Sequence, residues 1–217
     1  MNYPILYSFR RCPYAMRARM ALNLANIRCE IREVSLKNKP QSMIKLSPKA
    51  TVPVLYVNDK VIDESIEIIN WALLKKDIFK NRLSQEQEEY SNEIIGLFDE
   101  EFKPSLDRYK YNNRYKNENR EEHKKKCLKI LKKIEINMNS SSKWFFSDDI
   151  NKIDISILPF IRQFRLADEH WFDNTNELGQ TRQWLDSFLK SSLFRNIMIK
   201  KENWVDGDKP IYFPYEQ

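Results

Sequence analysis

The order of short apolar runs and helical patterns constrains this chain more than any other feature. Over the first 75 residues the two patterns alternate, and beyond them most apolar residues recur at helical spacing. Short apolar runs indicate buried strands, and apolar residues three or four positions apart indicate amphipathic helices. The predicted order is β-α-β-α-β-β-α, a small α/β layer with a mixed sheet, followed by an all-α region. The fold class is therefore α/β plus all-α.

The elements of the α/β layer are predicted individually. A first strand and the helix after it lead by a right-handed crossover to a second, parallel strand. A short helix, a hairpin that turns at Asn58-Asp59 and a last helix complete the layer. The predicted ranges, in order, are 4–8, 13–26, 29–36, 41–46, 54–57, 61–62 and 65–74.

The chain is predicted to form two domains. Residues 1–75 form the α/β domain, the mostly polar residues 76–84 a linker, and residues 85–217 an all-helical domain. This length is sufficient for one large or two small domains with a substantial core.

Three features are expected within the helical domain. Pro104 marks a kink or break in a long helical pattern. Asn151 and Asp154 predict a capping box at the start of a buried helix. The aromatic tail, which contains Pro210 and Pro214, is predicted to be an irregular segment packed on the helices.

Charge and hydropathy narrow the classes of function. The 217-residue chain carries a formal net charge of +6, and much of the excess lies in the lysines of 124–133. Apolar residues alternate with these lysines at helical spacing, which is typical of a solvated helix face, so no nucleic acid partner is expected. The apolar runs are shorter than the roughly 20 residues of a membrane span, and no signal-peptide pattern is evident. A cytoplasmic protein without a membrane partner is therefore expected.

Cysteine, histidine and glycine usage excludes further classes. The three cysteines, Cys12, Cys29 and Cys127, are scattered and odd in number, which argues against a disulfide framework and for a reducing compartment. With two histidines and no clustered cysteines, no metal site is expected. Three glycines are too few for a phosphate-binding, glycine-rich loop. Cys29 and Cys127 are interpreted as core or surface thiols.

Cys12 stands at the predicted start of the first helix. Pro13 suits the first helical position, whose N–H has no partner within the helix. The unpaired N–H groups and the positive end of the helix dipole favour a thiolate there, and such settings lower the pKa of a thiol below its free value of about 8.5. Arg10, Arg11 and Arg17 add positive charge nearby. Cys12 is therefore the candidate reactive thiol.

Two more motifs complete a candidate site. Val52-Pro53 directly precedes the third strand and is a candidate cis peptide, which would present the Val52 backbone to an extended peptide. Glu64 and Ser65 stand at the start of the next helix, where Ser65 is a candidate N-cap. A helix start with a hydroxyl and open N–H groups accepts a carboxylate, and Glu64 suits an ammonium. A thiol, a peptide backbone and a zwitterionic amino-acid end together describe glutathione.

These motifs also carry a family resemblance. The chain resembles the cytosolic glutathione transferase superfamily, and within it the cysteine-containing, omega-like branch and its bacterial relatives. The motifs concerned are Phe9-Arg10-Arg11-Cys12-Pro13-Tyr14-Ala15, Leu36-Lys37-Asn38-Lys39-Pro40, Val52-Pro53-Val54-Leu55 and Asp63-Glu64-Ser65. In the second half, Asp154 and Pro159 resemble the capped, buried helix of that family. The resemblance implies a thioredoxin-like domain followed by an all-helical domain, usually as a homodimer.

The resemblance implies roles for single residues. Cys12 would form a mixed disulfide with glutathione, which is then a co-substrate. The implied glutathione-binding residues are Lys39 for the glycine carboxylate, Val52 with Pro53 for the cysteinyl backbone, and Glu64 with Ser65 for the γ-glutamyl end.

Position 15 shapes the expected chemistry. It is an alanine, so Cys12 has no second cysteine at the Cys-x-x-Cys spacing, and a mixed disulfide with glutathione is favoured over dithiol oxidation. We expect an enzyme, a glutathione-dependent thiol transferase or reductase. One alternative is a glutathione S-transferase that conjugates glutathione to small electrophiles, with Cys12 or Ser8 holding the glutathione thiolate. The other is a non-catalytic glutathione-binding or scaffold protein.

The sequence does not identify the acceptor substrate. Aromatic side chains are candidates for lining its site, although at helical spacing they more often form a core. They are Tyr14, Phe98, Phe102, Tyr109 and Trp171. Tyr7 is interpreted as packing within the sheet.

Overall fold

A computed structural model describes residues 3–79 and 82–215. Residues 80 and 81, which fall within the predicted linker, lie outside the described residues. The strands, in chain order, are β1 Ile5–Ser8, β2 Cys29–Glu33, β3 Val54–Val57, β4 Lys60–Ile62 and β5 Tyr212–Phe213. The helices are α1 Pro13–Leu24, α2 Gln41–Leu46, α3 Ser65–Lys75, α4 Gln85–Leu97, α5 Lys103–Lys110, α6 Arg120–Glu135, α7 Lys152–Arg165, α8 Glu169–Asn174, α9 Gly179–Leu189 and α10 Ser192–Ile197.

The chain packs as two compact units. The first, here called the thiol unit, comprises Met1–Ile78 together with Lys190–Gln217, and the second, the helical unit, comprises Phe79–Leu189. The predicted domain boundaries stay a proposal. The structure groups the C-terminal stretch with the thiol unit, whereas the prediction assigned it to the helical domain.

The sheet of the thiol unit has the strand order β4-β3-β1-β2-β5. β1 and β2 run parallel, whereas β3, β4 and β5 each run antiparallel to their neighbours. The predicted β-α-β-α-β-β-α order is confirmed. Asn58 and Asp59 join β3 to β4 with φ values of 49° and 60°, the left-handed conformation that a two-residue type I′ turn requires.

The C-terminal tail differs from the prediction of an irregular segment on the helices. β5 pairs with β2, with Cys29 opposite Phe213 and Glu30 opposite Tyr212. Without β5, β2 would be an edge strand whose outer N–H and C=O groups have no strand to bond. The tail therefore extends the sheet of the thiol unit.

The helical unit is built around buried aromatic residues. α4 ends at a π-helical turn over Phe98–Phe102, and α5 follows with Pro104 in its first turn. Pro104 therefore accompanies the predicted break. The rings of Phe98 and Phe102 stack with centroids 4.3 Å apart, and both are buried, as is Tyr109. These three candidates for an acceptor lining are core residues of the helical unit.

The predicted capping box of α7 is confirmed. Asn151 Oδ1 accepts a hydrogen bond from the Ile153 N–H at 3.2 Å, and Asp154 Oδ2 accepts one from the Asn151 N–H at 2.8 Å. Asp154 Oδ1 also accepts bonds from the Phe145 N–H at 2.9 Å and from Trp184 Nε1 at 2.7 Å. The carboxyl group is fully buried, and burial raises the pKa of Asp154 to about 7.

The lysines of α6 lie beside acidic side chains of the helical unit. The pairs are Lys124–Asp168, Lys132–Glu177 and Lys133–Glu93. This arrangement suits the interpretation of a solvated helix face. In the part of the chain that the structure describes, no helix combines the length and the apolar character that a membrane span needs.

Candidate active site

Cys12 is the N-cap residue of α1, and Pro13 is the first residue of that helix. The Cys12 backbone is extended, with φ −74° and ψ 125°, and its side chain makes no capping hydrogen bond. The thiol is partly exposed, and its Sγ lies 3.7 Å from the carbonyl oxygen of Val52. The N–H groups and the dipole at a helix N-terminus stabilise negative charge, so this position suits a thiolate.

The other two cysteines have different surroundings. Cys29 lies in β2 and Cys127 in α6, both are buried, and burial raises the pKa of each thiol to about 12. Among the described residues no cysteine forms a disulfide. Because the thiolate is the reactive form of cysteine, burial and this pKa disfavour reaction of Cys29 and Cys127 near neutral pH.

The Val52-Pro53 peptide is cis, as predicted. Val52 is buried in an apolar cluster of the thiol unit, and Cys12 packs against the same cluster. The structure therefore brings together the Cys12 thiol and the Val52 backbone, which are 40 positions apart in the chain.

The start of α3 differs from the prediction by one position. Glu64, not Ser65, is the N-cap residue, and no side chain caps this helix. Ser65 is the first residue of α3 and is buried, and its Oγ accepts a hydrogen bond from Arg17 Nη1 of α1 at 3.3 Å. The predicted cap is therefore wrong, because the guanidinium of Arg17 engages the hydroxyl. Glu64 is exposed beside it.

Lys49 is a site neighbour that the sequence analysis missed. Its Nζ donates hydrogen bonds to Glu64 Oε1 at 2.8 Å and to Asp63 Oδ1 at 3.2 Å. Hydrogen bonds from Ser47, at 2.7 Å, and from Lys49 lower the pKa of Asp63 below its ordinary value. The carboxylates of Glu64 and Asp63 raise the pKa of Lys49. No sequence signal singles out Lys49 in a chain with 37 lysines and arginines.

Lys39 stands apart from the other predicted site residues. It is half-buried and directly precedes Pro40, the N-cap residue of α2. In the chain it is 27 positions from Cys12 and 13 positions from Val52.

The hydroxyl groups of β1 are engaged inside the thiol unit. Ser8 is fully buried, and its Oγ accepts a hydrogen bond from Arg19 Nε at 2.7 Å. Tyr7 is also buried, and its hydroxyl donates to Ser42 Oγ at 3.0 Å. Of these early nucleophilic side chains, Cys12 is the one with an exposed surface.

A parallel β1-β2 pair extended by antiparallel strands, a cysteine at the start of α1 and a cis-proline before β3 define a thioredoxin-like thiol domain. Residues 6–77 match the family model described as glutathione S-transferase, N-terminal domain. These residues therefore form a glutathione S-transferase N-terminal domain, and the chain resembles the cytosolic glutathione transferase superfamily.

Individual relatives extend this resemblance. A probable glutathione S-transferase, parA of Nicotiana tabacum, is 27% identical over 173 residues, which cover 75% of this chain and 74% of that protein. Glutathione S-transferase omega-1 of Rattus norvegicus is 38% identical over 78 residues, 34% of this chain and 32% of that protein. The omega-like branch is therefore one of several branches that this chain resembles.

A solved structure shares the fold over most of this chain. It is a glutathione transferase family member from Pseudomonas fluorescens, solved with two glutathione molecules bound. Its TM-score is 0.77 at 14% identity, and the match covers 91% of this chain and 92% of that one. At this identity the likeness concerns the fold alone.

Proposed function

We propose that this protein is a glutathione-dependent thiol transferase that acts through a mixed disulfide between Cys12 and glutathione. The observation that carries the proposal is the setting of Cys12, a partly exposed thiol at the uncapped start of α1, 3.7 Å from the carbonyl oxygen of Val52. The match of residues 6–77 to the glutathione S-transferase N-terminal domain supports glutathione as the co-substrate.

The proposed reaction has two exchange steps. The Cys12 thiolate attacks the glutathionyl sulfur of a disulfide between glutathione and an acceptor thiol, and the acceptor leaves as a thiolate that takes a proton from water. The thiolate of a second glutathione then attacks the glutathionyl sulfur on Cys12, which releases oxidised glutathione and regenerates the Cys12 thiolate. Ala15 supplies no resolving thiol at that spacing, so the second step requires glutathione.

Glutathione is proposed to lie along the starts of α1 and α3. The Val52 backbone, before Pro53, would pair with the cysteinyl part as an added strand does. Glu64 would bind the ammonium group of the γ-glutamyl end. The first-turn N–H groups of α3, with Ser65, would bind its carboxylate, and the lack of a side-chain cap there supports this role. Lys39 would bind the glycine carboxylate.

We also propose that the protein is a cytoplasmic homodimer, on the basis of its resemblance to the glutathione transferases. Size-exclusion chromatography with light-scattering detection would measure the mass of the assembly directly. A monomer mass at micromolar concentration would refute the dimer and would leave the proposed mixed-disulfide mechanism unaffected.

Intact-mass spectrometry tests the reaction. Wild-type protein exposed to oxidised glutathione is expected to gain one glutathionyl group, which reduced glutathione then removes. Cys29→Ser and Cys127→Ser are matched controls and should gain the same adduct, whereas Cys12→Ser should gain none. An adduct that persists in Cys12→Ser would overturn the proposal. Binding of glutathione without any adduct would favour conjugation instead.

A further inference from the structure

The C-terminal stretch of the thiol unit packs behind the candidate site. Trp204 is 7% exposed and belongs to the apolar cluster that contains Val52 and Val54. Cys12 and Phe9 pack against the same cluster. Trp204 therefore packs in the same apolar cluster as Val52 and Cys12, the two parts of the candidate site.

Specific contacts hold Trp204 in place. Its backbone N–H donates to the carbonyl oxygen of Glu33 in β2 at 2.8 Å. The Arg32 guanidinium lies 4.0 Å from the centroid of the Trp204 ring, and the Tyr7 ring meets it edge-on at 6.0 Å. Two residues further on, the Asp206 carboxylate accepts a hydrogen bond from the Gln41 N–H at 3.2 Å.

The turn that presents Cys12 is tied to the same C-terminal stretch. The Arg10 N–H donates to Glu33 Oε1 at 2.7 Å, and Arg10 Nη1 donates to the Met198 carbonyl oxygen at 3.2 Å. The buried Arg19 forms an ion pair with Glu33 and donates to the Ile197 carbonyl oxygen at 2.9 Å. The end of α10 and the Cys12 turn are therefore joined through Arg10, Arg19 and Glu33.

We propose that Trp204 is a positioning residue for the thiol site. Its ring packs in the cluster beneath Val52 and Cys12 and holds these two residues in their relative positions. The inference rests on the proposed role of Cys12. Interiors are closely packed, so loss of a large ring lets the residues around it shift. A shift of Val52 relative to Cys12 changes both the surroundings of the thiol and the backbone that would pair with glutathione.

The test uses Trp204→Ala, Trp204→Phe and, as a matched control, Val205→Ala at a side chain that is 54% exposed. Two quantities are measured on folded protein. One is the affinity for S-methylglutathione, a thioether that cannot form a disulfide. The other is the rate of Cys12 alkylation by iodoacetamide from pH 5 to 9.

Trp204→Ala is expected to bind S-methylglutathione about tenfold more weakly and to shift the midpoint of the alkylation profile by at least half a pH unit. Trp204→Phe should lie within threefold of wild type because it retains a ring, and Val205→Ala should match wild type. A purely structural role would lower the melting temperature without moving the midpoint.

A folded Trp204→Ala variant with wild-type affinity and midpoint would overturn the inference. Should that variant fail to fold, Trp204→Leu takes its place under the same criteria. If wild-type protein does not bind S-methylglutathione at all, the proposed function fails, and the alkylation profile alone then decides the role of Trp204.

Discussion

The helix starts at the candidate site differ from the starts of five other helices in the molecule. α1 and α3, which begin at the site, make no side-chain capping hydrogen bond. Five other helices begin with a side chain that caps them. The capping residues are Ser84 of α4, Asn119 of α6, Asn151 of α7, Asp168 of α8 and Ser191 of α10.

The contrast is sharpest between α7 and α3. At α7 the Asn151 carboxamide accepts from the first-turn N–H of Ile153, and the buried Asp154 carboxylate accepts from the N–H of Asn151. At α3 the nearest hydroxyl, Ser65, instead accepts from Arg17. A side-chain cap contributes about 1 kcal/mol to stability, which an uncapped start forgoes. Its N–H groups then lack a side-chain partner and suit a bound anion. The starts of α2 and α5 also lack a side-chain cap, so an open start is not by itself a site. At α1 and α3 the open start coincides with the proposed binding residues.

The largest expected effect separates Cys12 from the two cysteines that lie away from a helix start. At pH 8, iodoacetamide should alkylate Cys12 at least about 100-fold faster than Cys29 or Cys127, since burial raises the pKa of both to about 12. Mass spectrometry of folded protein should show one label, and protein unfolded in urea should show three. Cys12→Ser is the control. Rapid labelling of that folded variant would refute the predicted difference in reactivity between Cys12 and the two buried cysteines.

The same pKa shifts set a pH dependence of stability. The folded pKa of about 12 for Cys29 and Cys127 lies above the ordinary value of 9.0, so above pH 9 the unfolded chain releases protons that the folded protein keeps. Their contribution is complete below pH 9 and is lost as the pH rises toward 12. Urea unfolding at pH 8 and pH 10.5 should show a lower free energy of unfolding at the higher pH. Replacement of Cys29 by Ala should reduce this difference.

The capped start of α7 should prove important for stability alone. Asp154→Ala leaves three N–H donors without their acceptor, and each buried unsatisfied donor costs roughly 1–3 kcal/mol. We expect a loss of about 3 kcal/mol in the free energy of unfolding, measured by urea denaturation. The exposed Asp186→Ala on α9 should change it by less than about 0.5 kcal/mol. Equal losses from both variants would refute the account.

Two serines at helix starts give a direct comparison of capped and uncapped positions. Ser84→Ala removes the cap of α4 and should cost about 1 kcal/mol of stability, with unchanged affinity for S-methylglutathione. Ser65→Ala should weaken S-methylglutathione binding about tenfold, because a hydroxyl that would contact the γ-glutamyl carboxylate is gone. Calorimetric titration and urea unfolding on both variants decide the matter. The reverse pattern of effects would remove the functional distinction between the two starts.

The smallest expected effect concerns the ion pair beside α3. Lys49 holds Glu64, the residue proposed to bind the ammonium group, so Lys49→Met should tighten S-methylglutathione binding about twofold to threefold at low salt. Lys45→Met, on the exposed side of α2, controls for the loss of one positive charge. Weaker binding by Lys49→Met would mean that Lys49 itself contacts the ligand.

Features that depend on neighbouring residues were predictable from the sequence. The Asn58-Asp59 turn, the cis peptide before Pro53 and the Asn151 capping box each depend on a few adjacent positions. The position of Cys12 at the start of α1 follows in the same way from Pro13. Local residue chemistry was therefore enough for most of the thiol unit and for the position of the candidate thiol.

Features that depend on distant residues were not predictable. The Ser65 hydroxyl is engaged by Arg17, 48 positions away, and Lys49 meets Glu64 only because the chain folds back between them. β5 is two residues long, too short for a periodic pattern, and is defined by its pairing with β2. In each case a contact across the fold determines the local structure.

The pairing of β5 with β2 also bears on the order in which the protein is made. The helical unit is one continuous stretch, Phe79–Leu189, whereas the thiol unit needs residues from both sides of that stretch. During synthesis, units fold as their residues emerge from the ribosome. The helical unit therefore has all its residues before the thiol unit does. Until residues 190–215 emerge, the outer edge of β2 is open to pairing with other chains. The thiol unit that carries Cys12 is incomplete during that time.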